Sequence, residues 1–161
     1  MRHDQHFRNM IVTAAERQLA LFVNHPNYDS PKRGGYLVVR NVATSTNILV
    51  VPIGDIGYKA DKYARIAQEK VERLQRNLSI GHCTSWQSRN PDNDEWGGAV
   101  QIFHTDYLIS FSGLPEAADQ ALVLAILCSL GLMPNHEARG IAETTECGYF
   151  ENCFPHFKAD D

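Results

Sequence analysis

The stretch from Trp96 to Leu132, WGGAVQIFHTDYLISFSGLPEAADQALVLAILCSLGL, constrains the chain more than any other. It reads as strand, turn, strand, a glycine-bearing loop, and then a helix that is apolar almost all the way round. A helix without a polar face has to be enclosed on every side. This unit therefore predicts the centre of a domain, with other elements wrapped around it.

The rest of the chain supplies those elements. Apolar residues at Phe7, Met10, Ile11, Ala14, Ala15, Leu19 and Phe22 fall at helical spacing, predicting a helix from about His6 to Val23. The stretch from Asn24 to Gly35 is dense in Pro, Asn, Ser and Gly and reads as a loop. Two runs rich in Val, Leu and Ile, Tyr36 to Arg40 and Asn47 to Ile53, read as a hairpin joined by the polar link NVATST. Asp61 has N-cap character ahead of a second helix whose stripe is Tyr63, Ala64, Ala67, Val71 and Leu74. Glu69 with Arg73 and Glu72 with Arg76 stand four apart on its other face. An irregular strand is expected around Cys83 to Gln87, and RNPDNDE as an exposed loop. Strands at Ala99 to Phe103 and Tyr107 to Ser112 follow. Pro115 opens the apolar helix and Gly131 closes it. A short helix from Asn135 to Thr145 precedes an aromatic tail.

Hairpins enforce antiparallel pairing, and the helices between them must cover the sheet. The fold class expected is α+β, an antiparallel sheet of about four to five strands flanked by helices. All 161 residues read as a single domain, with 1–5 and 158–161 as flexible ends.

Charge narrows the partners. The chain carries a formal charge of −4. Residues 134–161 hold six acids against Arg139 and Lys158, so the other 133 residues balance, 13 acidic against 13 basic. Without a basic face, nucleic acid is not expected as a partner. The longest apolar run, Ala121 to Cys128, is too short to span a bilayer, so no membrane partner is expected. The first ten residues have no apolar core of an export signal. The four cysteines are few and irregularly spaced, which reads as reduced thiols and a cytoplasmic location.

Several constellations touch on chemistry. Cys147, Cys153 and His156 invite a metal, but zinc sites bring cysteines in pairs two to four residues apart, and these do not. No metal site is assigned. His82 and Cys83 are neighbours in an extended segment, so they point to opposite faces and cannot pair as base and nucleophile. His104 and Asp106 are ordinary hairpin-turn residues. There is no nucleophile elbow, phosphate-binding loop or dinucleotide fingerprint, and no catalytic residue is assigned. Trp86 and Trp96 flank the polar loop and either wall a ligand groove or cover a sheet edge or a subunit contact.

The order of elements resembles the profilin-like GlcG/HbpS group, whose members are described as haem-degrading or haem-binding. Ala67, Lys70 and Val71 stand where that group has a central-helix motif, and Gly97 and Gly98 match its Gly-Gly step. Phe111, Ser112 and Gly113 match its strand-to-helix loop, with Asp119 on the final helix. The resemblance spans roughly residues 36–131. It implies a profilin-like fold and a non-catalytic ligand-binding or sensory module, with haem or another anionic small molecule as the ligand.

The residues themselves point the same way. Lys70, Gly97, Gly98, Ser112 and Gly113 form the candidate ligand site. Free backbone N–H groups at the start of the last helix favour an anion, and Lys70 offers a counter-charge. Two alternatives stand beside this reading. One is a homo-oligomeric assembly protein whose apolar helix, Ala117 to Leu130, is completed by a second subunit. The other is a cysteine- or metal-dependent enzyme.

Overall fold

A computed structural model describes residues 2–157; the expected flexibility of 158–161 lies outside the described residues. The first helix, α1, runs Arg2–Val23 and starts earlier than the apolar spacing indicated. Tyr107 explains the extra turn: its ring stacks on Phe7 at 4.6 Å and its hydroxyl donates to Asp4 at 2.8 Å. Ile11, Ala14, Ala15, Leu19 and Phe22 make the buried stripe.

Strands β1 (Arg33–Asn41), β2 (Thr46–Asp55), β3 (Ala99–Gln101) and β4 (Tyr107–Ser112) form one antiparallel sheet in the order β2-β1-β4-β3. The fold is α+β, as expected. Three local expectations give way. Gly34 and Gly35 belong to β1 rather than to the loop, paired with Gly54 and Ile53. Asp61 lies inside helix α2 (Ala60–Asn77), whose N-cap is Lys59. The segment expected as a strand at Cys83–Gln87 is a 3-10 turn over Ser85–Ser88. There the Gln87 side chain accepts the N–H groups of Cys83 and Thr84, which closes a capping box and diverts the backbone from the sheet. Only Thr84 makes a bridge, to Val100.

The period-two alternation of the strands sorts side chains to two faces. Leu37, Val39, Ile109 and Phe111 face α1 and the apolar helix α3 (Glu116–Ser129). Val38, Ala99 and Leu108 face α2. Residues Ala117 to Leu127 are all buried, enclosed by α1, the sheet, α4 (Asn135–Glu143) and α5 (Tyr149–Cys153). The chain thus encloses its own apolar helix, and a second subunit is not required for that purpose. Phe150, Phe154 and Phe157 fasten the tail to the same core. Among the described residues, no helix is long and apolar enough to cross a membrane.

Candidate functional site

Helix α2 presents Tyr63, Ile66, Ala67, Lys70, Val71 and Leu74 to the sheet. Lys70 therefore sits on the apolar stripe rather than the solvated face, and it is fully buried. Its Nζ donates to the Phe111 carbonyl at 2.6 Å and to Asp119 Oδ2 at 3.1 Å. Asp119, on the first turns of α3 and 3 % exposed, accepts the Leu114 N–H through Oδ1 at 2.9 Å. Burial pushes its carboxyl up to about 6, against the opposing pull of the Lys70 charge and the Leu114 bond. A carboxylate buried in this largely apolar helix is tolerated because this lysine and this amide reach it.

The pair lies at the wall of a cleft of about 160 Å³ between α2, the end of β4 and the start of α3. Ser112 and Gly113 line it beside Lys70 and Asp119, with Ile66, Trp96 and Leu114 adding apolar surface. An ammonium has three donors, and two are engaged. The hydroxyl of Ser112, a residue only 4 % exposed, takes no protein partner among the described residues. Lys32 and Lys62 stand exposed at the rim.

Three of the five site residues read from the sequence, Lys70, Ser112 and Gly113, meet on this cleft. Gly97 and Gly98 stand behind it. The Gly97 N–H donates to Glu116 at 2.7 Å, and Glu116 is itself paired with Arg89 at 2.6 Å. Gly98 packs on the Lys70 ammonium. Gly113, with φ +147°, brings the chain against the Gly34 backbone, where a Cβ would lie 2.3 Å from its carbonyl oxygen. Tyr63 and the rim lysines line the cleft beyond the five residues read from the sequence, and Trp96 is one of its walls. The sequence reading left Asp119 as a family counterpart rather than a site residue. The signal for Asp119 was a second acid, three residues after Glu116, in a helix otherwise rich in Ala, Leu, Ile and Val.

The other constellations do not assemble. Among the described residues, no group of three or more His, Cys, Asp or Glu side chains could hold a metal. Cys153 is buried against the core while Cys147 and His156 are exposed. Burial raises the Cys83 thiol, the opposite of what a nucleophile needs. His104 and Asp106 sit in an exposed turn, with His104 at φ +64°. The two tryptophans wall different grooves. Trp96 lines the Lys70 cleft, and Trp86 lines an apolar groove of about 360 Å³ with Phe103, Ile141 and Cys83.

No family model matches the chain, and neither a curated protein nor a solved structure matches it.

Proposed function

We propose that the chain is a non-catalytic module that binds a compact carboxylate in the Lys70 cleft. The observation that carries this reading is a set of donors on one cleft: an ammonium with two of its three hydrogens engaged, and the Ser112 hydroxyl, which makes no protein hydrogen bond among the described residues. Donors left open in a low-dielectric wall favour an acceptor-only group, and a carboxylate presents two acceptor oxygens. Ile66, Trp96 and Leu114 suit a short apolar body behind it.

Size refines the ligand expected from the GlcG/HbpS resemblance. Pockets for drug-sized ligands hold roughly 300–1,000 Å³, so about 160 Å³ accommodates a small acid or one propionate arm, not a macrocycle. The layered order of helices and sheet supports the profilin-like part of the same proposal. A cytoplasmic location belongs to it too, since the four cysteines are free thiols.

Equilibrium titration with benzoate and with its neutral isostere benzamide tests the reading. Benzoate binds at least about tenfold more tightly, the scale of one charge-assisted hydrogen bond, and Ser112→Trp fills the cleft and abolishes binding. Equal affinity for the two probes sinks the proposal. A stoichiometric hemin complex with a Soret band, also lost in Ser112→Trp, replaces the compact acid with a tetrapyrrole.

A further inference from the structure

We infer that a carboxylate entering this cleft brings a proton with it, taken up by Asp119. The coupling rests on the carboxylate-site reading and specifies how that site balances its charge.

Lys70 is already neutralised. Its ammonium lies 3.1 Å from Asp119 Oδ2, and both side chains are within a few per cent of full burial, so the pair enters the cleft wall with no net charge. A second carboxylate on the remaining ammonium hydrogen would place two anions on one cation. Like charges sharing a buried site cannot both remain ionised, and one proton settles between them. The incoming acid keeps its negative charge, since it lies on the open side of the pair, where Ser112 lines the cleft. Asp119 is the group that takes the proton. Its carboxyl is predisposed to do so, because desolvation outweighs the Lys70 attraction and raises it to about 6.

The surrounding charges do not offer another solution. From α2, Lys62 reaches only the exposed rim, and Lys32 does the same from the segment before β1, so both are screened by water. Tyr63 lines the cleft, and the Tyr28 hydroxyl is occupied donating to the Lys32 carbonyl at 2.6 Å. On the acidic side, Glu116 is committed to Arg89 and the Gly97 N–H. Asp94 is exposed and accepts the Trp96 indole N–H at 3.2 Å. Among the described residues that line the cleft, no other buried carboxylate adjoins the ammonium.

Calorimetric titration of the full chain with benzoate at pH 7.5, in HEPES and in Tris, reads the coupling directly. The two buffers differ in ionisation heat, so the difference in apparent binding heat gives the protons exchanged. Uptake approaching one proton per benzoate is expected. The affinity should weaken about tenfold per pH unit above neutrality and level off below pH 5.5, where benzoate is still ionised. Asp119→Asn, which imitates the protonated acid, should hold benzoate at pH 7.5 as tightly as the wild type does at pH 5.5, with no uptake. If that variant fails to fold, the two-buffer result on the wild type decides alone. Benzoate binding that Ser112→Trp blocks but that carries no proton overturns the coupling and leaves the site standing. No benzoate binding at all removes the site, and the coupling with it.

Discussion

Gly98 and Lys70 fit one another so closely that a single added methyl separates them. A Cβ at Gly98 would stand 2.7 Å from Lys70 Nζ and 3.2 Å from Asp119 Cβ, on a backbone with φ +126°. Gly98→Ala therefore combines an unfavourable backbone with a displaced ammonium. Strain of this kind costs on the order of 1–3 kcal/mol, and loss of the Phe111 carbonyl's partner adds about 1 kcal/mol. We expect a drop of about 2–4 kcal/mol in urea unfolding with unchanged slope, together with lost benzoate binding. A change under 0.5 kcal/mol would show that the glycine does not hold the lysine in place.

The cost of removing one partner of this ion pair is not what the pair adds to stability. Removing one partner leaves a buried charge alone, which costs about 3–5 kcal/mol, whereas replacing both with apolar residues of similar volume is often neutral. Lys70→Met should therefore be severely destabilising, and Lys70→Met with Asp119→Leu should recover most of the loss. Thermal unfolding of the two variants checks this. A double variant no better than the single one would mean that the pair contributes net stability.

Asp119 also gives the fold an unusual response to pH. Its carboxyl is raised from 3.8 to about 6 in the folded chain, so between those values the folded state holds the extra proton. Stability from this group is complete below about pH 4 and is lost as pH rises through 6, by on the order of 2–3 kcal/mol. Most carboxylates slope the other way. The wild-type minus Asp119→Asn difference in unfolding free energy, followed from pH 4 to 7, isolates the term. It should become less favourable to the wild type as pH rises, and the opposite slope would contradict the assignment.

Gln120 carries a different liability. It is fully buried in α3, and neither its Nε2 nor its Oε1 has a hydrogen-bond partner. An unpaired buried amide costs roughly 1–3 kcal/mol. Gln120→Met, close in shape, should raise the stability by about that amount in chemical denaturation. An unchanged or lowered midpoint would show that the amide is satisfied in solution.

Periodicity made the layers of this fold legible. The stripes of α1 and α2, the alternation of β4 and the apolar run of α3 each state which surface must be hidden, and the chain hides them. Segments held by side-chain chemistry were not legible in that way. Thr84 and Gln87 turn Cys83–Ser88 into a capped 3-10 turn through bonds that leave no periodic trace. The candidate site was half legible for a related reason. Ser112 and Gly113 announce a strand-to-helix turn, but the Lys70–Asp119 pair joins residues far apart in sequence, on opposite sides of the sheet end. Each is visible only as a charge where an apolar residue belongs.

Arg73 shows how the unpatterned segment is held, and what it does for the cleft. Although it is only 3 % exposed, its guanidinium bonds Glu69 within α2 and donates to the carbonyls of Ser85 at 2.9 Å and Trp96 at 2.6 Å. Ser88 Oγ accepts a further bond at 2.5 Å, and Glu95 stands 3.5 Å away as a second carboxylate on the same guanidinium. One planar fork thus ties both ends of the loop to the helix, a task that a lysine's compact ammonium does not match. Trp96 in turn lines the carboxylate cleft. Arg73→Lys should keep the charge but release the loop. Hydrogen exchange should then rise at least tenfold in residues 84–96 while β1 and α3 stay protected, and benzoate affinity should fall with it. Unchanged exchange in that segment would mean that the 3-10 turns hold themselves, leaving Arg73 with only its bond to Glu69.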